Sequence, residues 1–521
     1  MRYLLKAPRI VWAVVVVLLV MAALGAPFNH DETQYYAANA VGSWAAPYRE
    51  FAYLQTPLGL YVGRWLLALT PGYALLSGRI IQALAGVAIA VIVWKTALRI
   101  LPRRAEALRS ALLMMSCFPF LFCVTVYRND VLPCLLEVMA MASLLRMIDS
   151  EGRVPRVAIA LSGLLIALAG AAKINFLLLG GAPLIWLAMQ EGVPWRRKAV
   201  DLAVLATGAG LGLCVIAYPL LHDPDAFMWQ VVTFNGLAPG YWLPLIGEGV
   251  RLTIAGRSFD AIVILLEGPM LCALALIALY GRWQPDGEGS APATSAVQMR
   301  AVTRLVTLFL VFALGAAIIP IPSWKQYFIV ILPPLFLRLG FVMCALEGRV
   351  RKVAIGALGI FALAGVSIMV VRLVGTLSHP EKSIVTHWQE SRWIGETLRA
   401  KGVRGEIATL SPHLTIDSGY MPDLRFTAGP FIFRWADPAR IEQIKAVGAV
   451  TSLNVDAAFA KRPPAAIVTG YEKGDGKHQA SDLDRHLSDY ATRQGYQAVA
   501  SPFGAATLYV RPAAVREYSP G

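Results

Sequence analysis

Charge is what this sequence has least of: 15% of its 521 residues are Asp, Glu, Lys or Arg, against 57% that are hydrophobic. That balance leaves too little polar surface to cover a water-soluble globule of this length, so a polytopic membrane protein is the expected class. Acid is scarcer than base, with 33 Asp and Glu against 47 Lys and Arg. The basic excess does not point to nucleic acid, because it lies in short clusters between apolar runs and forms no continuous basic domain. Cysteine is rare as well. The six (Cys117, Cys123, Cys134, Cys214, Cys272 and Cys344) all sit in apolar stretches without metal-like pairing, which excludes a disulfide framework and a zinc site. No internal repeat is evident, which weighs against a transporter built from duplicated halves.

What the sequence has in abundance is long apolar runs. Taking ~20 residues per crossing, about eleven helices are predicted. Their limits are 10–27, 76–98, 108–126, 131–148, 157–172, 175–190, 200–220, 261–280, 304–320, 327–346 and 353–376. The first run follows Arg2, Lys6 and Arg9 but lacks a small-x-small cleavage site leading into a soluble domain, so it is read as an uncleaved helix. Basic clusters mark alternate loops: Arg99/Arg103/Arg104/Arg109, Arg153/Arg156, Arg196/Arg197/Lys198, Arg300/Arg304 and Arg349/Arg351/Lys352. Those loops and the amino terminus are therefore assigned to the cytoplasm of a bacterial inner membrane. The segments 28–75 and 221–260 fall on the periplasmic side as large loops. So does the tail 377–521, which leaves 1–376 as the transmembrane module. In the tail, "HWQESRWIGETLRAKG" has helical spacing, whereas "GEIATL", "AAIVTGY" and "GAATLYV" are strand-like runs. The expectation there is a small soluble α/β domain. The stretch "QPDGEGSAPATSA" (284–296) reads as a low-complexity cytoplasmic loop.

The few remaining charges converge on the outer side. Asp31 and Glu32 follow the first helix, Arg128 and Asp130 stand in "VYRND", Lys173 in "GAAKINF" and Lys325 in "IPSWKQYF". Ionisable groups at membrane depth are functional candidates by default. Transfer of a sugar from a polyprenyl phosphate to a hydroxyl needs this combination. The phosphate, with a second pKa of about 6, leaves without a proton donor. What the reaction does need is a carboxylate to take the acceptor's proton and cations to hold the departing phosphate. Asp31 suits the first task; Arg128, Lys173 and Lys325 suit the second. Plainer readings stand beside these. Asp31 is placed to cap a helix starting near Thr33, and Glu32 suits a first helical turn. Arg128 and Asp130 form a plausible turn-closing ion pair, and Lys173 a snorkelling anchor. Tyr35, Tyr36, Trp44, Tyr48, Tyr53 and Tyr61, and Lys325 with Tyr327, suit an interfacial belt. His222 and Asp223 read as an ordinary turn. A transporter or flippase of a lipid-linked substrate is the alternative function; Glu137 and Glu267 are its main intramembrane candidates.

The acidic pair after the first helix, followed by "YYAANAVGSWAAPYREFAYLQTPLGLY", resembles the first outer loop of GT-C fold glycosyltransferases. The branch is that of protein O-mannosyltransferases, lipid A aminoarabinose transferases and related bacterial enzymes. "YRND" resembles that family's second acidic position, "SWKQYFIVILPPLFLRLG" its late tyrosine-to-Pro-Pro helix, and "SRWIGETLRAKGVRGEIATLSPHLTIDSGYMPDLRF" the start of the periplasmic domain in bacterial members. The resemblance implies a GT-C fold with Asp31 as catalytic base and Asp130 as a second active-site carboxylate, Glu32 lying beside them. It also implies a polyprenyl-phosphate-linked sugar as donor and an envelope lipid, glycan or protein as acceptor. Arg128, Lys173, Lys325 and Tyr327 are the candidates for the donor phosphate, and Tyr35, Tyr48 and Gln55 for substrate contact. In aminoarabinose transferases, Glu-Lys before the loop's final proline serves metal and phosphate. Here Gln55-Thr56-Pro57 stands in that place. No metal ligand is assigned, a divalent ion stays open, and Lys173 or Lys325 is expected to take over the phosphate.

Overall fold

The computed structural model describes residues 2–41, 46–281, 296–474 and 482–512. The predicted loop 284–296 falls almost wholly outside them, as does Trp44. Every predicted apolar segment is helical. The chain opens with α1 (Arg2–Gly25), α2 (Glu32–Ala40), α3 (Leu58–Ala68), α4 (Ala74–Ile100), α5 (Arg104–Met115), α6 (Phe118–Thr125), α7 (Val131–Leu145) and α8 (Arg156–Ala172). It continues through α9 (Gly181–Ala188), α10 (Trp195–His222), α11 (Pro224–Met228), α12 (Phe234–Leu245), α13 (Ile254–Leu266) and α14 (Met270–Tyr280). The last helices of the bundle are α15 (Ala296–Ile318), α16 (Leu332–Ala345) and α17 (Gly348–Ser378). Among the described residues, five helical stretches are long and apolar enough to cross a bilayer, or seven if two bent pairs each count as one. The chain is a multi-pass membrane protein.

The two bent pairs were predicted as straight runs, 108–126 and 261–280. Instead, α5 and α6 meet at 66°, and α13 and α14 at 93°. The second break is written in Gly268-Pro269: Gly268 has φ +145°, open only to glycine, and Pro269 lacks the amide that would continue the ladder. A bilayer offers no water to free backbone groups, so breaks must be satisfied by protein. Here the two breaks satisfy each other, since Phe118 N–H donates to the Glu267 carbonyl at 2.8 Å. A Cβ on Gly365 of α17 would lie 2.2 Å from the Ser116 oxygen, so only glycine lets that helix pack onto both breaks.

Beyond the bundle, α18 (Ile384–Ala400) covers the predicted tail helix. The three predicted strand runs form β1 (Ile407–Thr409), β2 (Ala466–Thr469) and β4 (Thr507–Val510). The fourth strand, β3 (Gln497–Ala500), was not anticipated; "QAVA" is short and mostly exposed, with no alternation to reveal it. The sheet order is β1-β2-β4-β3, with β1 parallel to β2 and the remaining pairs antiparallel.

The segment 28–75, predicted as a loop, carries α2 and α3 and is pinned by one buried ion pair. Arg79 of α4 donates to Glu32 through Nε (2.9 Å) and Nη2 (2.6 Å), and neither side chain is exposed. Its remaining donors close the carbonyls of Ala23, Ala26 and Pro27 at the end of α1. Glu32 also accepts from the backbone amides of Asn29 (2.8 Å) and Tyr127 (2.7 Å). One guanidinium therefore fixes the exit of α1, the start of α2 and the approach to α7. Removing one partner leaves the other charge buried and unmatched. Glu32→Ala is expected to cost about 3–5 kcal/mol, read as a lowered denaturant midpoint of the detergent-solubilised protein.

Candidate active site

Asp31 stands where α1 has ended and α2 begins, in helical conformation, and its side chain does not cap α2. Its carboxylate instead accepts from Arg128 Nη1. The same Nη1 reaches Asn29 Oδ1 at 2.9 Å, and Arg128 Nε donates to Asp130 Oδ2 at 2.9 Å. Lys173, at the end of α8, donates to the other oxygen of Asp130, and its ammonium lies 4.5 Å from the centre of the Tyr327 ring. Residues 31, 128, 130 and 173, far apart in sequence, thus form one alternating chain of charge. Exposure separates their roles: Asp130 is 0% exposed, Arg128 4%, Lys173 9% and Asp31 28%. Within this chain Asp31 is the carboxylate that substrate can reach. Burial pushes its carboxyl pKa up, but Arg128, His30 and Arg434 outweigh this and bring it below the usual value. It is therefore ionised near neutral pH, as a proton acceptor must be.

The other predicted residues divide. Tyr35 and Tyr327 lie against the same charges. Glu32 points away into Arg79. Tyr48 is buried in the loop, its hydroxyl donating to the Gln55 carbonyl at 2.6 Å and its ring 5.0 Å from Phe227. Tyr48 thus bonds the main chain of Gln55 and not the carboxylates, and the Gln55 side chain makes no hydrogen bond among the described residues. Lys325 occupies a neighbouring zone, 5.0 Å above the Phe118 ring and 5.2 Å from Phe122. Arg372 of α17, unnoticed in the sequence reading, lies over the same two rings at 5.8 and 5.4 Å. Neither cation makes a side-chain hydrogen bond or ion pair among the described residues. Phe122 joins the two zones, for Arg128 is 5.6 Å from its ring. A basic residue inside the apolar stretch "VVRLV" was the available signal for Arg372. Among the described residues no three His, Cys, Asp or Glu side chains cluster as metal ligands. Between Asp31 and Asp130 the bridging positive charge is the guanidinium of Arg128.

No family model and no curated protein matches the sequence. Solved structures do match. ArnT from Cupriavidus metallidurans bound to undecaprenyl phosphate superposes with a TM-score of 0.61 at 12% identity, over 98% of this chain and 99% of that one. The same protein in the apo state gives 0.59 at 12% identity, over 98% of each chain. The chain has the GT-C fold. At such identity the likeness is one of architecture, and it extends from the bundle through the C-terminal sheet.

The C-terminal region packs directly on this site. Asp417 accepts from the amides of Ala74 (2.8 Å) and Leu75 (3.0 Å), closing the amino-terminal end of α4. His413 Nδ1 lies 3.0 Å from Thr33 Oγ1 on α2, and its Nε2 lies 2.9 Å from His387 Nδ1 on α18. Phe28 stacks on both imidazoles, at 4.2 and 4.3 Å. Burial pushes the His387 pKa down to about 3, with Arg79 adding to the effect, and holds His413 well below its ordinary value. The seated form therefore binds fewer protons than a released form whose imidazoles titrate near about 6.5. This contribution to stability is complete above that pH and is lost progressively as pH falls toward 3. Limited proteolysis of the C-terminal region should accelerate below pH ~6, and His413→Gln should weaken that dependence.

Proposed function

We propose that the chain is a membrane glycosyltransferase that moves a sugar from a polyprenyl-phosphate-linked donor to a hydroxyl of an envelope acceptor: lipid A or core saccharide, another glycan, or protein. The observation that carries this reading is the pairing of one accessible, ionised carboxylate, Asp31, with two cations that make no ion pair among the described residues, Lys325 and Arg372, across a shared phenyl ring. The fold shared with ArnT, whose structure holds undecaprenyl phosphate, supports a lipid phosphate as leaving group.

In this mechanism the acceptor hydroxyl approaches the Asp31 oxygen that Arg128 leaves free. As its oxygen bonds to the anomeric carbon, Asp31 takes the proton and the carbon–phosphate oxygen bond breaks, its electron pair leaving with polyprenyl phosphate. A single displacement inverts the anomeric configuration. Lys325 and Arg372 bind the departing phosphate; uncompensated cations over apolar rings gain more from an anion than hydrated ones do. Asp130 does not meet the acceptor. With Lys173 it holds Arg128, and through it Asp31, in place. Glu32 belongs to the Arg79 lock and takes no part in the chemistry. Tyr35 and Tyr327 stand beside these charges. The alternating basic loops support an inner-membrane location with this site, and a soluble domain 377–521, facing the periplasm.

Purified protein given labelled polyprenyl-phosphate sugar and envelope lipid should consume donor. Asp31→Asn should keep its fold and its donor binding but lose transfer by about 10²–10⁴-fold; an active variant would overturn the base. The double change Lys325→Ala/Arg372→Ala should raise the donor KM, and unaltered kinetics in both would remove these residues from the phosphate site.

A further inference from the structure

Asp31 has a neighbour that the loop and bundle do not supply. Arg434 follows the short helix Pro430–Phe433 of the C-terminal region, and its guanidinium lies 3.8 Å from the centre of the Trp242 ring on α12 and 5.0 Å from that of Phe431. Phe431 also meets His30, the residue before Asp31, edge-on at 4.9 Å. His30 Nδ1 in turn lies 3.2 Å from Glu472 Oε1. Three segments remote in sequence (the loop after α1, α12 and the C-terminal region) thus close around one carboxylate. Arg434 has no ion-pair partner among the described residues, and its Nε is buried without a hydrogen bond. A guanidinium held between two aromatic faces and left unmatched is costly unless a charge nearby repays it.

The placement is built in. Gly429, just before the helix, has φ +59°, and a Cβ there would lie 2.8 Å from the Thr33 methyl and 3.1 Å from the Leu410 carbonyl. That contact fixes the Pro430–Arg434 turn against the first turn of α2, two residues past Asp31. The groups whose charge acts on Asp31 are Arg128 from the α6–α7 loop, in direct contact, His30 from its own loop and Arg434 from the C-terminal region, with Tyr35 of α2 and Tyr327 of the segment before α16 also within electrostatic reach.

We propose that Arg434 is a positioning residue for Asp31, and that the transfer site is complete only when the C-terminal region is seated on α2 through the Gly429–Thr33 contact. The proposal rests on Asp31 acting as the base. Arg128 holds the carboxylate from the bundle side; Arg434 is the second cation, brought by the C-terminal region that packs on α2. Its field favours the ionised form without occupying the oxygen that takes the proton.

Two readouts test this in the full-length protein in detergent. The first is independent of turnover: the pH dependence of labelling Asp31 with a water-soluble carbodiimide, which consumes the protonated acid, followed by peptide mass spectrometry. Arg434→Met should move the labelling midpoint upward by about one pH unit, Arg434→Lys should bring it back, and Gly429→Ala should move it as Arg434→Met does. The second is the acidic limb of the kcat/KM profile, which should follow the same shift. On that limb Arg434→Met should transfer about tenfold less sugar, with an unchanged donor KM. A labelling midpoint that stays in place in Arg434→Met overturns the proposal. A shift in Arg434→Met without one in Gly429→Ala overturns the seating. An active Asp31→Asn variant would sink the base instead, while the labelling midpoints would still report whether Arg434 acts on Asp31.

Discussion

A single guanidinium holding two carboxylates apart is the constraint on which the site depends. Arg128 meets Asp31 with one nitrogen and Asp130 with another, and Lys173 neutralises the far side of Asp130. Two carboxylates that share one guanidinium repel each other, and taking charge out of water adds to the cost, so compensating charge is needed. The alternation of acid and base resolves this. It leaves Asp31 at the open end of a balanced chain, exposed while the other three groups stay buried. The protein thereby keeps a proton acceptor at the edge of an apolar bundle, where an isolated carboxylate would neutralise itself.

The same logic in reverse describes the neighbouring zone. Lys325 and Arg372 share two phenyl faces and make no ion pair among the described residues, with Glu267 the acidic group that acts on both. Pairing both within the protein would leave nothing for a phosphate to bind. Leaving both unpaired is tolerable because the rings accept part of the charge. Under the proposed function, proton transfer and anion binding fall in adjacent zones that share Phe122.

Much of this was legible in the sequence, and the exceptions are instructive. Periodicity and run length found the helices because a bilayer imposes one length on them. Counting loops put Asp31, Arg128, Asp130 and Lys173 at one end of the bundle, and the structure joins them there. Counting did not separate Asp31 from Glu32, because adjacent acids in a helical turn point in different directions and Arg79, the partner that claims Glu32, lies 47 residues on. The plain reading of Asp31 as a helix cap fails in the structure, and Tyr48, whose plain reading is an interfacial-belt aromatic, is instead buried in the loop. Both helix breaks escaped notice because hydropathy is blind to direction, although Gly268-Pro269 marked one of them. Arg434 was invisible for another reason: nothing local distinguishes "FIFRW" from any aromatic stretch, and its importance comes from a fold that returns to Asp31 after some 400 residues.

The bond between the two broken helix pairs has a consequence for biogenesis. When α5 and α6 leave the translocation machinery, the amide of Phe118 has no partner, because its acceptor at Glu267 has yet to be synthesised. Hydrocarbon cannot shelter that amide, so the early part of the bundle must linger near water, or near the insertion apparatus, until α13 arrives. The architecture thus imposes an order on its own assembly: the cation zone forms late, when the second half of the chain closes the gap left in the first.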